Sequence, residues 1–149
     1  MTGLSTRTQQ YKDMTAQEYL EQYKEADRIV QSIREEYLKQ MEQVDSIRSA
    51  LGGDGLPRSG DISKKVEAQA VRLAEKAEEL LQAEADALAV RQQVFRTVQR
   101  VPGDPGEVLR ERYVNLRKWE YIAEALGWSL SNCHVLHRKG LEIVEEIIK

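Results

Sequence analysis

The stretch EVLRERYVNLRKWEYIAEALGWSLSNCHVLHRKGL, Glu107 to Leu141, decides how the last third of the chain folds. Trp119, Ile122, Ala123 and Leu126 are apolar at spacings of three and four, the period of a helix with one buried face. Gly127-Trp128-Ser129 breaks that run. A second amphipathic run follows through Cys133, Leu136, Gly140 and Leu141. Two short helices joined by a turn containing glycine form a helix-turn-helix.

Upstream, Val101-Pro102-Gly103-Asp104-Pro105-Gly106-Glu107 marks a junction. Asp104 as N-cap, Pro105 at the first helical position and Glu107 three residues after the cap predict a helix start. The spacing predicts a domain over 104–149 with three helices, about 105–115, 118–126 and 130–148.

The preceding residues carry two heptad rows. Tyr23, Val30, Tyr37, Val44 and Leu51 recur every seven residues, with Ala26, Ile33 and Ile47 between them and Met41 beside the missing step. Val66, Leu73, Leu80, Ala87, Val94 and Val101 recur likewise, with Ala70, Ala77 and Val98 alternating and Glu84 and Arg91 interrupting. Such rows are the seams of nearly parallel packed helices. Thr15 to Glu18 fits a capping box at the start of the first helix. Asp61 or Ser63 caps the second. About 36 helical residues extend roughly 54 Å.

Between the helices, Gly52 to Gly60 holds four glycines and Pro57, a loop over 52–61 in which Arg58 reads as a solvated charge. Residues 1–14 read as a flexible polar tail. The expected fold is therefore all-α: a long antiparallel, coiled-coil-like helical hairpin over 15–101, followed by a three-helix helix-turn-helix module.

Composition agrees. The chain has 149 residues, 32% charged and 6% aromatic, with three prolines, a balance that favours long helices over sheet. A single cysteine, Cys133, excludes an intramolecular disulfide and any multi-cysteine zinc site. There is no apolar run near 18 residues and no apolar signal core, so the expectation is a cytoplasmic protein without a membrane partner. No glycine-rich phosphate loop or nucleophile–base pair stands out, so neither enzyme activity nor a cofactor is expected.

On a helical wheel, Cys133, Leu136, Gly140, Leu141, Ile143, Val144, Ile147 and Ile148 fall on one side of the last helix. Ser131, His134, Val135 and Arg138 fall on the other, flanked by Asn132 and Lys139. Arginine suits guanine, asparagine adenine, and an apolar group the thymine methyl. Glu142, Glu145 and Glu146 make the outward face acidic further along, so the N-terminal half is the part expected to lie in a major groove. Ser129 is placed to cap this helix, whose dipole favours a phosphate there. Arg117 and Lys118, just before the first helix of the pair, complete the expected double-stranded DNA contact. From Asp104 to Lys149, seven cationic side chains face eight anionic ones. Phosphate neutralisation supplies much of the affinity of such proteins, so a homodimer or an RNA polymerase partner is expected to reinforce binding. Ile29, Leu38, Leu81, Leu88 and Phe95 lie beside the seams and are the expected oligomerisation residues.

Cys133, His134 and His137 are close in sequence, but no fourth ligand is evident and no metal site is expected. His137 reads as a packed histidine bonded to a neighbouring element, Cys133 as a small core residue, and Trp119 and Trp128 as core and turn-packing groups.

Arg112-Tyr113, Ile122-Ala123, Leu126-Gly127, Ser129 and Leu141 after Gly140 resemble the helix-turn-helix of the fourth conserved region of bacterial sigma factors. The chain resembles more closely a family of small phage and prophage proteins of unknown function, related to phage late-gene transcriptional regulators. Arg112-Tyr113, Trp119-Glu120-Tyr121-Ile122-Ala123, Ser129 and Leu136-His137-Arg138-Lys139-Gly140-Leu141 carry that likeness. Gly140 departs from its usual alanine. The resemblance implies a transcriptional regulator in a bacterial host. The alternative is a module docking on RNA polymerase or on phage packaging machinery, including a small-terminase-like subunit.

Overall fold

The computed structural model describes residues 14–51 and 60–149, with no account of the side chains of residues 51, 61 and 62. The expected tail up to residue 13, and residues 52–59 of the expected loop with Arg58, lie outside the described residues. Every regular element among the described residues is helical: α1 (Ala16–Leu51), α2 (Gly60–Gln99), α3 (Gly103–Leu109), a single π-helical turn (Arg110–Val114), α4 (Trp119–Leu126) and α5 (Leu130–Ile148). The fold is all-α, with the long helices α1 and α2 packed as a hairpin.

The start of α1 follows its sequence signature in part. Thr15 Oγ1 accepts from the Glu18 N–H at 3.1 Å. The Ala16 N–H donates instead to Glu145 Oε2 of α5, at 2.9 Å. Helix α2 starts at Gly60, so Asp61 and Ser63 lie inside its first turn and do not precede it as caps.

Among the described residues the first heptad row of each helix is covered as expected, with Val30, Val44, Ala87 and Val94 buried and Val101 buried just beyond α2; the side chain of Leu51 lies outside the described residues. The second row of α2 differs. Ala70 is exposed, and Gln69 is turned in. The covered row is Gln69, Lys76, Ala83, Val90 and Thr97, with Ala77, Glu84, Arg91 and Val98 widening it. The covered stripe takes in the step of three from the first row as well as the step of four beyond Ala70. Of the polar members, Lys76, Thr97, Glu84 and Arg91 have partners. Lys76 Nζ donates to Glu36 Oε2 at 2.8 Å and pairs with Glu79 at 2.9 Å. Thr97 Oγ1 bonds Tyr19 Oη at 2.9 Å and donates to the Gln93 carbonyl. Glu84, an apparent interruption, accepts from Arg34 at 2.9 Å. The Arg91 guanidinium lies 5.9 Å from the centre of the Tyr23 ring.

The chain divides into two compact units at Ala26 and Leu88. One unit, the base, joins the start of α1 and the end of α2 to everything after them. Leu20, Val94, Val98, Leu109 and Val144 are fully buried in its core, together with Ala16, Tyr19, Val101, Tyr113 and Val114. The compact units therefore divide elsewhere than at the 101/104 boundary drawn from sequence, because the C-terminal helices share their core with the hairpin's base. Phe95 belongs to this core's margin. Of the expected oligomerisation residues, Ile29, Leu38, Leu81 and Leu88 are exposed. The other unit, Asp27–Ala87, is the distal hairpin.

The junction turns on close approach. Helix α3 is preceded by Pro102 with no side-chain cap bond, so the expected Asp104 cap does not form and Asp104 lies in the first turn. A Cβ on Gly106 would fall 2.1 Å from the Val101 carbonyl oxygen, a contact only glycine allows.

Candidate nucleic-acid interface

Helix α4 ends because Gly127 takes a left-handed conformation, φ 71° and ψ 30°. The Trp128 N–H then donates to the Ala123 carbonyl at 3.0 Å and the Gly127 N–H to the Glu124 carbonyl at 3.3 Å. These two bonds satisfy carbonyls that the helix end would otherwise leave open, and they redirect the chain within three residues. Ser129 then caps α5, its Oγ accepting from the Asn132 N–H at 3.1 Å. The expected cap is thus present, and the first turn of α5 carries no acidic residue.

Two contacts hold α5. Towards α4, Ile122, Ala123 and Cys133 form a small buried cluster ringed by Trp119, Leu126 and Trp128. Burial raises the Cys133 thiol pKa, as befits a core residue. Towards α3, Gly140 meets Leu109. A Cβ at Gly140 would lie 2.8 Å from Leu109 Cδ1 and 2.9 Å from its Cγ, and Leu109 is fully buried. Alanine would gain roughly 1 kcal/mol of helix propensity. Overpacking a core typically costs about 1–3 kcal/mol, so glycine is the better residue here.

The π-helical turn and the strained link after it, where Leu116 has φ 54°, bring Arg112 and Tyr113 beside α5. Tyr113 Oη and His137 Nε2 are 2.6 Å apart, with their rings stacked at 5.7 Å. His137 also meets Trp119 edge-on at 4.9 Å. Burial, reinforced by His134 and Arg112, lowers the His137 pKa to about 4. Burial raises that of Tyr113 to about 12. His137 is thus a neutral packing residue, as its place on the wheel implied. Among the described residues no cluster of three or more His, Cys, Asp or Glu could hold a metal.

Ser129, Ser131, Asn132, His134, Val135, Arg138 and Lys139 are all exposed on or just before the N-terminal half of α5, and Arg117 and Lys118 are exposed at the start of α4. Besides Ser129, which caps α5, two of the nine are engaged within the chain. His134 lies 4.6 Å from the Trp119 ring, and Arg117 sits over Tyr121 at 4.7 Å. Arg112 backs the group, with its guanidinium 4.8 Å from the Trp119 ring centre and Nη1 donating to the Arg117 carbonyl at 3.0 Å.

Sequence reasoning overlooked three things. Tyr121 and Leu130 are large apolar side chains left 47% and 45% exposed near this surface. The Arg117–Tyr121 spacing of four was the legible signal for one of them. Arg112 positions the turn, for which only its spacing from Trp119 gave a hint. Glu145 is not part of an outward acidic face, because its carboxylate accepts from the first N–H of α1; Glu142 and Glu146 remain exposed. No helix among the described residues is long and apolar enough to cross a membrane. No protein-family model, curated protein or solved structure matches the chain.

Proposed function

We propose that the chain is a DNA-binding transcriptional regulator, of the phage or prophage kind that its C-terminal third resembles, and that it reads duplex DNA as a dimer. The observation that carries this reading is the exposed row Ser131, His134, Val135 and Arg138 with Asn132 and Lys139, on a helix capped by Ser129 and backed by α4 through a glycine turn. Short polar and cationic side chains at the start of the second helix are what major-groove readout needs. The α5 N-terminus and Lys118 supply donors for flanking phosphates.

Fluorescence anisotropy with labelled duplexes at stepped salt tests this. Binding should weaken as salt rises, and a random-site selection should enrich one motif. Arg138→Ala should relax preference at one base position by about 1–3 kcal/mol with helicity unchanged. Absence of salt-dependent binding to any duplex, including the selected pool, overturns the reading.

A second reading has its own support. Tyr121, Leu130 and Val135 are exposed apolar groups on α4 and α5, and the module's net charge is −1. Both features suit docking on a protein such as RNA polymerase or the packaging machinery. Leu130→Ser would abolish capture of that partner after nuclease treatment while leaving duplex binding intact.

A further inference from the structure

One face of the distal hairpin changes sign half-way along. In α2 the residues Lys65, Arg72, Glu79 and Asp86 stand seven apart, on one line of the helix. The neighbouring line runs Lys64, Val71, Glu78. Both lines are basic nearer the helix start and acidic beyond. All these side chains are exposed.

The same face carries two shallow grooves with apolar floors. The first is floored by Ile47 and Ala68 and edged by Lys64, Lys65 and Arg72. The second is floored by Ile29, Ile33 and Ala83 and edged by Glu75, Glu78, Glu79 and Asp86. Ile29 is 45% exposed there. Between the grooves, the side-chain oxygens of Gln40 and Gln69 are buried without a hydrogen-bond partner. From Lys65 to Asp86 the helix rises roughly 32 Å.

We propose that this face binds the same face of a second copy, antiparallel, about a two-fold axis passing between Arg72 and Glu79. Sequence symmetry fixes the register. Lys65 and Asp86 lie equally far from the midpoint of Arg72 and Glu79. An antiparallel two-fold therefore sets Lys65 against the partner copy's aspartate at 86 and Arg72 against its glutamate at 79, with each pair repeated by symmetry. An isologous interface must be self-complementary, and a row reading plus, plus, minus, minus is. A parallel arrangement would oppose like charges along its whole length, which is strongly unfavourable. The apolar floors supply the non-directional attraction, and the charges set direction and register.

Ile29 is shared with the oligomerisation residues expected from sequence. Leu38 and Leu81 are not. They lie one position beyond the first heptad rows, on the side where Arg34 meets Glu84. The proposal stands on the hairpin alone. It supplies the dimer of the DNA-binding reading without depending on it, because it is tested with no DNA present.

Sedimentation of the full chain provides the test. Wild type should be a dimer that weakens as salt rises. The triple variants Lys64→Glu/Lys65→Glu/Arg72→Glu and Glu75→Lys/Glu78→Lys/Asp86→Lys should each self-associate about a hundredfold more weakly. Circular dichroism should report unchanged helix, since every substituted side chain is exposed. Mixed together, the two variants should restore a heterodimer, since the charged edges of one face are then acidic throughout and those of the other basic except at Glu79. Leu38→Ser/Leu81→Ser should leave the dimer intact. A monomeric wild type, a dimer indifferent to both reversals, failure of the mixture to pair, or loss of the dimer in Leu38→Ser/Leu81→Ser would each overturn the proposal.

Discussion

The base and the distal hairpin are built from the same two helices and solve the burial problem differently. In the base, α1 and α2 meet α3, the π-helical turn and α5, and ten residues close into one buried cluster. Among the described residues of the distal hairpin only Val30, Val44 and Ala87 are buried, while Lys76, Glu84, Gln40 and Gln69 occupy seam or near-seam positions. Two helices alone can each cover one stripe, and a long charged side chain at its edge, such as that of Glu84, keeps its head partly in water, whereas the Gln40 and Gln69 oxygens are buried. Further layers of helix narrow that escape, and Thr97 is buried in the base with its hydrogen bonds made. The difference teaches that heptad periodicity by itself does not measure stability. The same pattern gives a dense core where other helices cap it and a loosely apolar, polar-edged seam where none does.

The largest expected effect breaks the comparison directly. Leu20 is fully buried in the base, and Leu20→Ala should cost about 2–5 kcal/mol. Leu80 occupies an equivalent seam position in the distal hairpin but is only partly covered. Leu80→Ala should cost roughly 1–1.5 kcal/mol. Urea unfolding of both variants, read by circular dichroism, checks the ratio; equal losses would mean that the distal seam is as well packed as the base. Next in size is Gly106→Ala. Its new methyl would strike the Val101 carbonyl, and backbone cannot rotate away as a side chain can. A loss of about 1–3 kcal/mol is expected, with hydrogen-exchange protection falling in α3 and α5 and unchanged at the tip of the hairpin.

Much of this contrast was legible in advance, and the rest was hidden for identifiable reasons. Helix number, the Gly127 turn, the Ser129 cap and the wheel of α5 rest on local rules, and local rules operate within a few residues. The second row of α2 was read too narrowly: Val98 is buried as expected, but Ala70 is exposed and Gln69, Lys76 and Thr97 are covered too, although they look less apolar. The inward placement of those polar residues depends on Glu36 and Tyr19, both distant in sequence. Glu145 read as an outward acid because a wheel knows nothing of the α1 N-terminus waiting 129 residues away. Gly140 read as a departure until Leu109 was placed against it. The exposed side chains of the candidate interface were legible from the wheel, and the Arg117–Tyr121 contact from its spacing of four; the contact of His134 with Trp119 was not.

Acid should separate the two regions at intermediate scale. His137 sits in the base with its pKa lowered from an ordinary 6.5 to about 4, chiefly by burial. The unfolded chain therefore binds more protons between those values, so this contribution to stability is complete above pH 6.5 and is lost as pH falls towards 4. In the distal hairpin, the hydrogen bond from Lys76 lowers the Glu36 pKa below its ordinary 4.5. That contribution is present above 4.5 and is lost only as pH falls below it. Between pH 6.5 and 4.5, hydrogen exchange should show the base losing protection before the distal hairpin does. His137→Gln keeps a bonding group for Tyr113 and removes the titration. It should flatten the response of the base in that window, and an unchanged slope would assign the acid sensitivity elsewhere.

The smallest effect expected is at the pair that looks most decisive on inspection. Arg34 and Glu84 meet at 2.9 Å across the distal hairpin, yet their side chains are 41% and 40% exposed. Exposed ion pairs contribute roughly 0–1 kcal/mol, because water screens the attraction and two long side chains must be held in one geometry. A double-mutant cycle with Arg34→Ala and Glu84→Ala should therefore give a coupling below about 1 kcal/mol that shrinks further in added salt. Tyr19 and Thr97 make a bond of equal length, 2.9 Å, but buried in the base. Truncating Thr97 alone would remove this buried hydrogen bond, a loss of about 0.5–1.5 kcal/mol that salt should not relieve. If the exposed pair proved the stronger of the two, burial would not be what distinguishes the regions, and the polar seam of the distal hairpin would have to be counted as a source of its stability.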